Sequence, residues 1–378
     1  MNANVIKDLN YYQVDPVRGF LPKEDPLEKL TDFFDPWERV AADLSFLLMT
    51  NQLRFTLEKL PLLDVSYLED EASMRRAFLL LSVFGNAYVW GGVTSATHIP
   101  STIAIPWCQL AEKLKYPPIV THASIVLDNW RRLDKTKPIE LDNIATLQLF
   151  HGGLDEQWFL LTHVVIEAKG AKGLLPLVEA QRSVSLGDAL AVAQNLDVIL
   201  EVLVEIHTVL EQIQHKCDPY IFFHRVRPWL AGWQEPGVIY CGVSDKIQKF
   251  AGASAAQSSL IQSFDAGLGI KHQGDRQASF LLNMRSYMPP LHRKFIEALE
   301  SGPSIREFAI NLKSDYPVVC DLYNSCIQAL ENFRMKHMQI AACYISRQST
   351  HQEKGTGGTN FAKLLLKVKQ ETAEYLIS

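Results

Sequence analysis

Apolar residues recur every three or four positions along most of this chain, and the strict alternation of a half-buried strand is almost absent. The first clear helix is predicted to open at Asp35-Pro36-Trp37-Glu38, where Asp35 can cap, Pro36 suits the first helical position and Glu38 falls where a reciprocal capping carboxylate belongs. Helical spacing continues through Leu44, Leu47, Leu48 and Leu53, resumes over 71–88, and returns over 106–114 and 123–130. A break at His151-Gly152-Gly153 reads as a boundary. Beyond it the pattern predicts four strong helices, over 157–169, 185–215, 258–268 and about 317–345, and a capping box at Ser304-Ile305-Arg306-Glu307 opens a shorter one. Only Gly237-Val238-Ile239-Tyr240-Cys241 reads as a strand, short enough for a small hairpin edge. Residues 1–30, rich in Pro, Asp and Tyr, read as an extended arm on the surface. The expectation is an all-α protein with a small helical domain over 1–150, a linker at 151–156 and a larger helical domain over 157–378.

Within the 317–345 run, Leu330, Phe333, Arg334, Ile340, Ala341 and Tyr344 share a helix face with His337, so that imidazole points inward. It is either a core histidine satisfied by a neighbour or a ligand. Arg334, one turn earlier on the same face, favours the ligand: a haem iron takes a neutral imidazole nitrogen, and a propionate takes a guanidinium. His163, with Phe159 one turn before it on an apolar helix, reads alone as a core residue. Arg227 lies in the aromatic segment Phe222-Phe223-His224-Arg225-Val226-Arg227-Pro228-Trp229, where a buried guanidinium must find an anion. Aromatic walls with one such cation describe a pocket for an aromatic carboxylate. His207, Glu211 and His215 share a helix face and could hold a metal, but no Glu-x-x-His partner helix and no His-Glu-x-x-His accompanies them, so a solvated face is the better reading. Gly252-Ala253-Ser254-Ala255-Ala256 matches a nucleophile elbow only in part, and its small residues suit close approach to a flat ligand. The Gly355 to Thr359 loop fails the phosphate-loop template because Lys354 precedes the glycines; it is either a connector or a loop that covers substrate.

The chain has 378 residues and a net charge of −5, with no clustered basic face, which argues against nucleic acid as a partner. Its six cysteines include no Cys-x-x-Cys pair, as suits reduced thiols, and without Cys-x-x-Cys-His any haem is held without covalent links. No signal-peptide pattern opens the sequence, and no apolar run reaches the about 18 residues of a membrane span. A cytoplasmic protein is expected.

Taken in order, several blocks resemble the indoleamine 2,3-dioxygenase family over most of the chain. In the first half these are Ala87-Tyr88-Val89-Trp90-Gly91, Pro106-Trp107-Cys108-Gln109-Leu110, and Pro117-Pro118-Ile119 through Asn129-Trp130. In the second they are Phe222-Phe223 with Arg227, Phe250-Ala251-Gly252 through Gln257-Ser258-Ser259, Met288-Pro289-Pro290 with His292-Arg293, Arg334 with His337, and Lys354-Gly355-Thr356-Gly357-Gly358-Thr359. The resemblance implies an all-helical fold, a small domain over a larger haem-binding one, and cleavage of the indole C2–C3 bond of L-tryptophan or another indole by O2 to N-formylkynurenine. It implies non-covalent haem b, ferrous in the active form, an unidentified reductant, and a monomer with neither nucleic-acid nor membrane partner. By position, His337 would be the axial ligand of the iron and Arg334 the partner of a propionate. Phe159 and Phe222 would pack the indole, and Arg227 would clamp the substrate carboxylate. Ser254 and Ala255 would lie against the haem edge and Thr356 would hold the amino-acid end. Three positions depart from the family pattern. His163 stands where several members carry Ser, and would accept the indole N–H; His122 replaces a pocket Tyr, and Ile125 a pocket Cys, which bears on substrate choice. A haem-binding sensor or carrier without tryptophan turnover is the rival reading, and a non-haem metal protein using His207, Glu211 and His215 is a third.

Overall fold

A computed structural model describes residues 6–272, 277–349, 356 and 361–378. Its centre is the helix Ala189–Glu211, whose buried Val192, Leu196, Ile199, Leu203, Ile206 and Leu210 repeat every three to four residues and so form one continuous apolar stripe. Three other helices pack on it: Leu154–Gly170, Leu174–Leu186 and the 25-residue Pro317–Ala341. The last is also covered by Phe361–Ala373. In the first half, Glu71–Trp90 is buried along most of its length and packs on Ser101–Leu114.

The helix expected over 185–215 starts later: it runs Ala189–Glu211, followed by the short Ile213–Lys216, and residues 185–186 end the preceding helix Leu174–Leu186. Gly187, with φ of +70°, takes the left-handed position that ends Leu174–Leu186, and the Asp188 carboxylate caps the next helix by accepting from Ala191 N at 3.0 Å. The Gly187-Asp188 pair marks this joint, and no residue from 184 to 191 is buried. The helix at Asp35–Ala42 forms, but without the expected cap: Asp35 pairs with Lys29 at 3.0 Å, while Glu38 accepts from Leu30 N at 2.9 Å and binds Arg76. At Ser304 the cap is as expected, with Oγ accepting from Glu307 N at 3.1 Å.

The amino-terminal arm is not a surface strap. Leu9, Tyr12, Val14, Phe20 and Leu21 are buried, with Tyr12 against Phe295 and Phe20 against His292 on the helix Pro290–Glu300. At Gly19, which has φ of +63°, an added Cβ would stand 2.8 Å from the Ala171 Cβ, so the turn docks directly on the second half of the chain. The apolar residues of the arm decide its fate over its prolines and acids.

Strand content exceeds the expected hairpin edge. Trp233–Tyr240 pairs antiparallel with Ser244–Phe250, and His98–Ile99 adds to Trp233–Tyr240 in parallel; Trp130–Arg132 and Ile144–Thr146 form a separate pair. Ser244–Phe250 is largely exposed and carries Asp245, Lys246 and Lys249, so it shows no apolar alternation. Both this small sheet and a contiguous set of buried side chains cross the 151–156 segment. Among the described residues no helix is long and apolar enough to cross a membrane.

Candidate active site

Between these helices lies an apolar cavity of about 280 Å³. On Leu154–Gly170 the positions Phe159, His163, Ile166 and Glu167 fall on one face and line it. Pro317–Ala341 contributes Phe333, Arg334, His337 and Ile340 at the same kind of spacing. Phe222 comes from a π-helical turn, Phe222–Val226, which hands the chain on to Arg227; such single wide turns are frequent at functional sites. Ala253, Ser254, Ala255 and Ala256 form a rim.

The rim is knitted from three segments. Ala253 N donates to Leu230 O at 3.0 Å, Gly252 N donates to Thr356 O at 3.1 Å, and Thr356 Oγ1 donates to Ala253 O at 2.7 Å. A Cβ added to Gly252 would lie 2.1 Å from Leu230 O, so only glycine permits this crossing. Thr356 is thereby at the cavity edge; the rest of the Gly355 to Thr359 loop lies outside the described residues.

The two imidazoles differ in how they are held. His163 Nδ1 donates to Phe159 O at 2.8 Å, and since a carbonyl only accepts, the neutral ring carries its lone pair on Nε2. Burial pushes its pKa down to about 4, against the bond to Phe159 and with help from the nearby His122 and His337. His337 is also pushed down to about 4, by burial first and then by the Arg334 charge. No hydrogen bond ties either of its ring nitrogens among the described residues. Its neutral ring, partly open to the cavity, has an unengaged lone pair of the kind a metal takes. Phe159 sits 4.6 Å from His163 and 4.7 Å from Phe222, ring centre to ring centre, which makes a continuous aromatic wall. Arg227 lines the cavity with its guanidinium 5.4 Å from the Phe223 ring centre.

Arg334 is buried and already engaged. Its Nη2 meets both Asp265 oxygens at 2.6 and 2.7 Å, and its Nη1 donates to Thr372 Oγ1 on the helix Phe361–Ala373. Asp265 also meets His272 at 3.2 Å, and His272 meets Glu371 at 3.0 Å. Burial favours the neutral acid, yet Arg334 and His272 hold the Asp265 carboxyl at about 2. Burial likewise opposes charge on His272, but Asp265 raises its pKa above the ordinary value.

Ile125 is not brought to this cavity. It is buried in the π-helical turn Ala123–Leu127 and borders a small void with Val83, Phe150 and Val226; the wide turn takes it off the face that His122 occupies. His122 does line the cavity. Sequence reasoning missed Asp265, Ser258 and the role of Glu167. The available signal was an acid inside an otherwise apolar helical run, which must be paired when buried. Among the described residues no three His, Cys, Asp or Glu side chains converge as a metal-ligand set, and Glu211 of the His207 face is drawn to Lys336 at 2.6 Å. A second hollow, about 340 Å³, lies under the amino-terminal arm and holds none of the candidate residues.

A cavity walled by aromatics, with an imidazole free of hydrogen bonds among the described residues on one helix, a hydrogen-bonded one on another and a cation nearby, has the make-up of a small-molecule or cofactor site in a helical protein. Comparison with known proteins narrows this. The chain belongs to the indoleamine 2,3-dioxygenase family, whose model matches residues 8–375. It is 36% identical to indoleamine 2,3-dioxygenase 1 of Rattus norvegicus over 98% of this chain and 96% of that one. It is 34% identical to indoleamine 2,3-dioxygenase of Saccharomyces cerevisiae over 93% and 83% respectively, and 28% identical to a 6-hydroxytryptophan 2,3-dioxygenase of Fusarium equiseti over 99% of each. The protein is accordingly a haem-dependent dioxygenase.

Proposed function

We propose that the protein cleaves the indole C2–C3 bond of L-tryptophan or a closely related indole, and that His337 holds haem b in the cavity, ferrous when active. The observation that carries this reading is the pair of neutral imidazoles, one tied and one free, on two helices that face each other across one apolar cavity. The residues present fit the group: His337 offers a lone pair without competing hydrogen bonds, and the Ala253 to Ala256 rim leaves room for a flat edge. When bound, the haem supplies the O2 chemistry.

The chain's own work is binding, orientation and exclusion of water. Arg227 takes the substrate carboxylate, and Phe159 and Phe222 pack the indole. His163 Nε2 accepts the indole N–H, and Thr356 and Ser254 bound the amino-acid end. Arg334 reaches a propionate only with the donors Asp265 and Thr372 leave, its Nε–H and second Nη1 hydrogen, so it acts as a fixed, half-neutralised cation. An unidentified reductant, a monomeric state and a cytoplasmic location accompany the reading, and the six free cysteines suit the last of these.

The test is the absorption spectrum of the haem-reconstituted, reduced protein in air, followed after adding L-tryptophan. A Soret band with growth of N-formylkynurenine absorbance is expected. A Soret band with no product from any indole would favour the sensor or carrier instead, and no Soret band would remove His337 from its role.

A further inference from the structure

Behind the substrate wall stands a polar cluster that the reading above does not use. His122 Nε2 meets Glu167 Oε1 at 2.9 Å, and Ser258 Oγ donates to the same oxygen at 2.6 Å. The His122 main chain is pinned as well, with N donating to Gln257 Oε1 at 3.0 Å. His122, Glu167 and Ser258 are all more than nine-tenths buried, and all three line the cavity. The His122 ring centre lies 6.4 Å from that of His163. Two polar positions are left without partners among the described residues: Glu167 Oε2, which is wholly buried, and the Nδ1 of His122.

A buried imidazole whose one nitrogen is fixed by a carboxylate presents the other in a set direction. An unsubstituted benzene ring offers that nitrogen only C–H. A hydroxyl both donates and accepts, so it satisfies Nδ1 whether or not that nitrogen carries a proton. We propose that His122, oriented by Glu167, is a specificity-determining residue that recognises a hydroxyl group on the benzene ring of the indole, so that the preferred substrate class is a ring-hydroxylated tryptophan. This rests on the reading of the cavity as the indole site. His163 and His122 divide the work: the first takes the indole N–H, the second the ring hydroxyl.

The experiment measures kcat/KM, and anaerobic Kd on the ferrous holoenzyme, for tryptophan and for its 5-, 6- and 7-hydroxy derivatives. The wild type, His122→Phe and Glu167→Gln are compared. The expected result is that the wild type favours at least one hydroxylated isomer over tryptophan, and that this ratio falls about tenfold in His122→Phe, the worth of one buried hydrogen bond. In Glu167→Gln it falls in the same direction. Because the ratio is read within each variant, general damage to the pocket cancels; if His122→Phe does not fold, Glu167→Gln carries the test. A ratio that favours tryptophan in the wild type, or that does not move in the variants, overturns the proposal. Selective binding without turnover would fail the dioxygenase reading and uphold this one, and binding of no indole at all would sink both.

Discussion

The two helices that face each other across the cavity are built on opposite electrostatic plans. Behind His337 stands a chain of charges, Arg334 to Asp265 to His272 to Glu371, which ties Pro317–Ala341 to Ser259–Leu268 and to the carboxyl-terminal helix. On the His163 side the cavity is lined by aromatic rings and a neutral imidazole, with a single carboxylate, Glu167, shared between His122 and Ser258. On the proposed reading the first wall would fix a ligand by holding it rigidly, and its charges balance one another so that burial is tolerable. The second would discriminate by shape and by single hydrogen bonds, where an unmatched group is costly. One wall is a mount and the other a sieve.

The largest effect expected is on the mount. His337→Ala should abolish stoichiometric haem binding, read as loss of the Soret band on titration with haem; retention of a normal band would move the axial ligand elsewhere and break the comparison outright. Next comes Asp265→Ala, which leaves Arg334 buried without its partner and should cost about 3–5 kcal/mol in urea unfolding. The pH dependence has two edges. Asp265 is held below its ordinary value, so its contribution is present above about pH 4 and is lost as pH falls through about 2. His272 is held above its ordinary value, so its contribution is present below about pH 6.5 and is lost as pH rises through the raised value. The network is therefore strongest between these limits. A wild-type stability profile with no acid-side loss beyond that of Asp265→Ala would show that the charges are not coupled as drawn.

On the sieve, Arg227→Ala should lower kcat/KM for tryptophan about 100-fold, the worth of a charge-assisted bidentate contact, while the haem spectrum is unchanged. Unaltered turnover would remove the carboxylate clamp.

The mount was more legible in the sequence than the sieve, for a physical reason. His337 and Arg334 lie one turn apart on one long periodic helix, so spacing alone places them together. The partners of Arg334 come from 69 and 38 residues away, and no local pattern connects Asp265 or Thr372 to it. The helix bearing Phe159 and His163 was also foreseen, and Glu167 continues the same face. What the spacing of four could not convey is that His122, at the start of the π-helical turn Ala123–Leu127, would arrive from 45 residues away to meet it. Ile125 was placed at the site by the resemblance, as the counterpart of a pocket Cys, and the π-helical turn carries it away from the cavity instead. Likewise the expected start at Ser185 ran past the Gly187-Asp188 pair that separates two helices, and the arm was misjudged because its polar residues outnumber the few apolar ones that anchor it.

The smallest effect expected is at His163, and it sharpens the contrast most finely. The Phe159 carbonyl fixes the tautomer, leaving Nε2 as an acceptor, and burial keeps that nitrogen unprotonated down to about pH 4. One neutral hydrogen bond to the indole N–H contributes about 1 kcal/mol, so His163→Ala should lower kcat/KM for tryptophan only about fivefold to tenfold. The benzofuran analogue of tryptophan has the same outline but no N–H, and its Kd should be nearly equal in wild type and His163→Ala. Protonation of Nε2 would remove the acceptor, so the wild-type advantage for tryptophan should be flat from pH 8 to 5 and should fade as pH approaches 4. If His163→Ala weakened the benzofuran analogue as much as tryptophan, the imidazole would be acting as packing against Phe159, and the sieve would read the indole by shape alone.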